Sequence, residues 1–453
     1  MVFQVTLQQL AQLLQAKSQA FPLDAANILV ENITTDTRFL RAGDVFLALR
    51  GTTFDGHQFV ADAIAQGASA AIVDQSLSEA PYPLLQVPNT LAAYQTLGRW
   101  WREQLKTPIV AVTGSVGKTT TKELIAAALS TQGPVLKTQA NYNNEIGVPK
   151  TLLQLEHQHA YGVVEMGMRG PGEIALLTQI TQPDVAVITN VGTAHIGRLG
   201  SEQAIADAKC ELLAEMPSSG IAILNHDNAR LLHTAEKVWA GKCLTYGLGG
   251  GDVQGRLIDT ETLEVEGVRL PLPLPGHHNA LNYLAAIAVM QAFNLDWTRL
   301  AQGLTVQLPS GRAKRLVLPQ DVMVLDETYN AGLESMIAAL HLLAATPGKR
   351  RIAVLGTMKE LGDRSVEFHH QVGQVVSQLG LDCLLILADP AESDALASGA
   401  STVPTLQFSD QAALITHLKA LIQPSDRILF KASRAVALDK VVDALVQEQV
   451  PVH

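Results

Sequence analysis

Short apolar runs alternate with longer stretches of helical periodicity along most of the chain. Near its start Leu7, Leu10, Leu13 and Leu14 recur at the three-and-four spacing of an amphipathic helix. No basic leader precedes them, so the pattern predicts a short helix and not a signal peptide. RAGDVFLALRG (41–51) predicts an alternating strand bounded by glycines. FVADAIAQGASAAIV (59–73) predicts a helix, a glycine stop and another strand.

The texture changes at TPIVAVTG (107–114), where a buried-type strand meets a glycine turn. Beyond it, YGVVE (161–165) and DVAVITNV (184–191) predict strands covered on both faces, as in parallel sheets. The Gly- and Pro-rich stretch 246–275 predicts an antiparallel addition at the sheet edge. From Pro309 onward VMVLDE, RIAVLG, CLLILAD and RILFKA alternate with helices such as SMIAALHLLAA, the pattern of a doubly wound unit. The expected architecture is therefore α/β with three domains. A small α/β unit covers 1–103, a central parallel-sheet, ATPase-like unit covers 104–308, and a C-terminal Rossmann-like unit covers 309–453. No apolar run approaches the roughly 18–20 residues that span a bilayer, so a soluble, cytoplasmic protein without membrane insertion is expected.

Composition narrows the partners. With 33 basic and 43 acidic residues the formal charge is −10, which gives no general attraction to nucleic acid or anionic lipid. Any phosphate must be held by a local site. Cys210, Cys243 and Cys383 are far apart and lack metal-ligand spacing, as expected of reduced thiols.

That local site is visible in VAVTGSVGKTTTKELIAAAL (110–129). Gly114 and Gly117 allow a tight turn whose amides, with the start of the next helix, cradle phosphate oxygens. Lys118 can reach the β- and γ-phosphates and Thr119 can hold Mg²⁺. Val112 stands where the general P-loop pattern has its first glycine, so the motif is the shorter G-x-x-G-K-T-T form. Glu165 ends one strand and His195 follows another, at the sheet end where open α/β folds bind ligands. Each alone reads equally as a capping carboxylate or a structural histidine. Lys209, taken alone, is a solvated helical lysine. Asn279 and Asn282 share one helix face, suited to an adenine edge or to capping. Arg312 suits a phosphoryl clamp, and Asp326 ends a strand where a ligand contact is expected.

Taken in order, TGSVGKTTTKE, VVEMG, TNVGTAHIG, AKCELL, GHHNALN, and SGR followed by DETYNA resemble the Mur ligase family, ATP-dependent enzymes that add amino acids to UDP-N-acetylmuramic acid. The likeness spans nearly the whole chain. Within the family, ANYNNEIGVPKTLL (140–153), EMG with PGEI, and DETYNAGLESM are most similar to members that add D-alanyl-D-alanine to UDP-N-acetylmuramoyl-tripeptide. TTDTRFLRAGDVFLALRGTTFDGHQF resembles the uridine-binding domain shared with the diaminopimelate- or lysine-adding relative. That relative's Asn-Pro-Arg motif is missing from LGTMKELGDRS. KASR (431–434) carries Ala432 where many relatives have glycine.

The resemblance implies ATP and Mg²⁺ as cofactors and a monomer as the acting unit. Thr113, Gly114, Ser115, Val116, Gly117, Lys118 and Thr119 would hold ATP, with Asn279, Asn282, Arg312 and Asp326 contributing. Thr119 and Glu165 would ligate one Mg²⁺, and His195 with N-carboxylated Lys209 a second. Lys118, His195, Lys209 and Arg312 would serve the chemistry. Thr35, Asp36 and Arg38 would line the uridine side, Asn141 and Asn144 the muramoyl-peptide path, and Tyr329 and Asn330 further substrate contacts. The alternatives are a diaminopimelate-adding or folylpolyglutamate-type ligase, a P-loop regulator, or an inactive relative. A regulator leaves the added domains unexplained and lacks N-K-x-D, and intact Lys118, Thr119, Glu165, His195 and Lys209 argue against inactivity.

Overall fold

A computed structural model describes residues 3–75 and 81–449. Three larger sheets follow one another along the chain, and a two-stranded ribbon precedes them. The first helix, Leu7–Leu13, buries Leu7 and Leu10 and is closed at its start by a capping box between Thr6 and Gln9. The five-stranded sheet that follows places Val45–Leu47 between two parallel neighbours, Ile33–Thr34 and Ala70–Val73. Here the sequence expectation fails. Val45, Phe46 and Leu47 are all buried, because the strand is covered on both faces, and their side chains do not alternate between core and water.

Helix Thr90–Gln104 ties this unit to the next. Gly98 lies so close to Pro149 that a Cβ would sit 2.9 Å from its Cα. Trp101 donates to the Leu155 carbonyl at 2.9 Å. The largely buried Arg102 donates to the Thr181 carbonyl and reaches Asp184 at 2.9 Å. Such satisfied polar contacts cost heavily when one partner is removed.

The central sheet has nine strands. Its parallel part carries Ile109–Thr113 between Tyr161–Glu165 and Val185–Ile188. All five residues of Ile109–Thr113 are buried. The expected antiparallel addition is present: Val253–Leu257, Thr262–Val265 and Val268–Pro271 pair antiparallel at the edge. The last sheet has six strands, with antiparallel Lys314–Leu318 at its edge and the rest parallel. Its strands Val322–Glu327 and Asp426–Lys431 end toward the phosphate-type loop of the central sheet. Among the described residues, no helix is long and apolar enough to cross a membrane.

Candidate active site

The loop between strand Ile109–Thr113 and helix Lys118–Ser130 is fixed from outside. Ser115 N donates to the Asn190 carbonyl at 3.0 Å and Val116 N to Asn190 Oδ1 at 3.0 Å. Thr189 Oγ1 donates to the Val116 carbonyl at 2.7 Å. Gly114 and Gly117 adopt φ of +150° and +82°. A Cβ on Gly114 would lie 1.9 Å from Thr189 Oγ1, and one on Gly117 2.6 Å from Asn282 Oδ1. Glycine is thus required at both positions, by backbone conformation at Gly117 and by contact at each. Lys118 Nζ donates to the Gly114 carbonyl at 2.7 Å, folding over the turn. Burial holds its ammonium below the usual lysine range and Arg312 adds to this, while Glu165 opposes it.

Glu165 ends its strand 2% exposed. Asn143 donates to its Oε1 at 2.7 Å. Its Oε2 has no hydrogen-bond partner, and Lys122 Nζ, itself donating to the Thr138 carbonyl, lies 3.8 Å away. An orphaned carboxylate oxygen beside a P-loop threonine fits a hard cation. Among the described residues no group of three or more His, Cys, Asp or Glu converges.

His195 sits with φ +66° at the start of the short helix Ile196–Leu199. Its Nδ1 lies 2.6 Å from Glu360 Oε2, without hydrogen-bond alignment. Burial and the Lys118 charge hold its imidazole below the usual range, against Glu360. Lys209, on helix Glu202–Ala214, is 1% exposed and has no ion-pair partner among the described residues. Burial, then Lys118, holds its ammonium well below the lysine range. The reading of Lys209 as a solvated charge is therefore corrected: it is a core lysine at a cleft.

Arg312 stacks on Tyr329, its Cζ 3.9 Å from the ring centroid, and its buried Nε has no partner. Lys431 donates to the Asn330 carbonyl at 3.0 Å and lies 3.6 Å from Glu327. Asp326 is turned to its own chain, accepting from Thr328 N and Oγ1 at 3.1 and 2.7 Å. Asn279 donates to the Pro275 carbonyl, and Asn282 Oδ1 accepts from Thr121 at 3.1 Å beneath the glycine turn. Neither side chain caps helix His277–Ala292.

One cavity of about 1180 Å³ collects these groups. Thr113, Ser115 to Thr119, Asn141, Asn144, Glu165, His195, Lys209, Asn279, Asn282, Arg312, Tyr329 and Asn330 line it; Asp326 does not. Nor do Thr35, Asp36 and Arg38, since the wall begins at Thr113. Arg38 forks onto Asp36 at 2.6–3.2 Å, and the nearby charge of Lys150 helps hold Asp36 below the usual carboxylate range after Arg38. That motif therefore faces the Asn141–Lys150 stretch, where Asn144 Oδ1 accepts from Gly147 N at 2.9 Å.

Asn143, Lys122, Glu334, Glu360 and Lys431 were not singled out from sequence. Asn143 and Lys431 lie inside ANYNNEIG and KASR, but only contacts distant in sequence show their partners.

Models of three Mur ligase domains match this chain: the Mur ligase family catalytic domain at 29–101, the Mur ligase middle domain at 112–290, and the Mur ligase glutamate ligase domain at 311–434. The UDP-N-acetylmuramoyl-tripeptide–D-alanyl-D-alanine ligase of Synechocystis sp. is 58% identical over 93% of each chain. That of Escherichia coli is 38% identical over 97% of this chain and 98% of its own. Among solved structures, MurF from Acinetobacter baumannii superposes with a TM-score of 0.89 at 34% identity, covering 98% and 99% of the two chains. MurF from Thermotoga maritima in complex with ADP superposes at 0.83 and 30% identity, over 92% and 97%.

Proposed function

This chain belongs to the Mur ligase family, and we infer that it is the ATP-dependent ligase that joins D-alanyl-D-alanine to UDP-N-acetylmuramoyl-tripeptide in peptidoglycan precursor synthesis. The observation that carries this is the cavity itself. Lys118, Lys209 and Arg312 meet there with no ion-pair partner among the described residues, beside a glycine turn and a carboxylate oxygen that lacks a hydrogen bond. Basic side chains gathered over a glycine turn at a helix start suit a triphosphate and an acyl phosphate.

A carboxylate resists attack because its charge repels nucleophiles. Phosphorylation by ATP converts the tripeptide's terminal carboxylate into a mixed anhydride. The D-alanyl-D-alanine amine then attacks that carbonyl and phosphate leaves. Lys118 and Arg312 stabilise charge spreading over the phosphoryl oxygens, and the stacked Tyr329 holds the Arg312 plane in place. Thr119 and Glu165 would hold one Mg²⁺, and His195 with Lys209 as N-carboxylysine a second. The metal supplies charge neutralisation of the phosphates. Carboxylation would turn the partnerless lysine into an anionic ligand, and a neutral amine is the form that takes up CO₂.

Residues 1–103 would bind the UDP-muramoyl moiety, with Thr35, Asp36 and Arg38 at the uridine and Asn141 and Asn144 along the peptide path. Residues 104–308 would bind ATP, Asn279 and Asn282 bracing the nucleotide side of the turn. Residues 309–453 would complete the nucleotide site through Arg312 and seat the dipeptide near Tyr329 and Asn330. Nucleotide-linked substrates place the enzyme in the cytoplasm.

Phosphate release and peptide joining are to be measured with ATP, Mg²⁺, UDP-muramoyl peptides and D-alanyl-D-alanine, leaving out one component at a time. Both are expected only with the complete set. ADP and phosphate formed without a joined product overturn the assignment.

A further inference from the structure

The loop 192–198 carries His195 and is met by the C-terminal domain at two places. Glu334, in the first turn of helix Leu333–Ala345, accepts from Thr193 N at 2.6 Å and Thr193 Oγ1 at 3.2 Å. It makes no ion pair among the described residues, so its carboxylate is committed to this loop. Gly197 N donates to the Glu360 carbonyl at 3.1 Å.

The approach is too close for any side chain. A Cβ on Gly192 would lie 2.4 Å from Glu334 Oε1, and one on Gly197 2.5 Å from Gly362 N. Neither glycine has a left-handed backbone, so the loop itself would accept alanine. Only the docked domain excludes it. Between the two glycines His195 holds φ +66°, a conformation that a non-glycine residue keeps only where its surroundings over-determine it.

We propose that Glu334 is a positioning residue for the ligation: through Thr193 it fixes the loop bearing His195, and Gly192 and Gly197 are the contact points that let the C-terminal domain seat. The role in ligation rests on the functional assignment above; the docking does not.

The test uses the full chain with Mg-ADP and compares wild type with Gly197→Ala, Glu334→Ala and Glu334→Gln. Amide exchange across 193–198 and steady-state kinetics are the readouts. Gly197→Ala and Glu334→Ala should lose protection of the loop and at least tenfold in kcat. Melting temperature should stay unchanged, and in the two Glu334 variants the KM for ATP and the ADP affinity should stay within about twofold. Glu334→Gln keeps one acceptor oxygen and should recover part of both losses. Wild-type protection and wild-type kcat in Gly197→Ala overturn the proposal. Should that variant not fold, the two Glu334 variants decide by the same readouts. If wild type itself joins no peptide, the functional assignment fails, and loop protection alone decides whether Glu334 holds the loop.

Discussion

Asn143 donates its side-chain amide to Glu165 Oε1 at 2.7 Å, across 22 positions of sequence, and leaves Oε2 of that carboxylate buried, without a hydrogen bond and 3.8 Å from Lys122 Nζ. The bond decides which oxygen is available to a cation. A hydrogen bond to a charged group is worth about 1.5–3 kcal/mol. Asn143→Ala should therefore weaken Mg²⁺-dependent nucleotide binding by roughly tenfold or more. High Mg²⁺ should restore much of it. Calorimetric titration of ADP at several Mg²⁺ concentrations checks this; an affinity equal to wild type at low Mg²⁺ would refute it.

Gly117 sits under the same nucleotide site with φ +82° and Asn282 against its α-carbon. A left-handed backbone costs an L-residue about 1–2 kcal/mol, and the contact adds to that. Gly117→Ala should weaken nucleotide binding by more than tenfold, read by the same titration. The fold should survive, because the turn is surface-facing on its cavity side.

Lys118 Nζ donates to the Gly114 carbonyl at 2.7 Å, at the head of the glycine turn. Lys118→Ala should abolish turnover, at least a hundredfold in kcat, with an unchanged melting curve. Single-turnover formation of ADP measures it directly.

Lys209 gives the most specific outcome. As an N-carboxylated ligand it supplies an oxygen that a small acid can replace. Lys209→Ala should lose turnover and regain part of it with added acetate or formate, while Lys209→Gln should not respond. Absence of any rescue would remove the carboxylated form from the site.

Lys431 is buried at the junction of the last sheet, and burial holds its ammonium below the lysine range, with Glu327 opposing. Its folded pKa lies below its unfolded one, so between the two the unfolded chain binds more protons. Stability should rise with pH across that window, by at most about 1.4 kcal/mol per pH unit for one group. Lys431→Met should flatten that rise below the ordinary lysine range. Urea unfolding at stepped pH reads the slope.

Local chemistry alone determined much of this protein. Glycine at 114 and 117, and Lys118 and Thr119 after an apolar strand, are set by backbone conformation and side-chain type over a few residues. They were legible as sequence, as was the strand–helix alternation, since burial on two faces leaves continuous apolar runs. Val45–Leu47 was misread because alternation over so short a run cannot distinguish a half-buried strand from a covered one. Only the tertiary structure decided that Lys209 is buried without an ion-pair partner among the described residues, that Asp326 bonds its own Thr328, and that Asn143 orients Glu165. It alone brought Glu334 and Glu360 onto the His195 loop. Each of these depends on which charges meet across distant segments, and a Coulomb or desolvation energy is a property of that meeting and not of the residue.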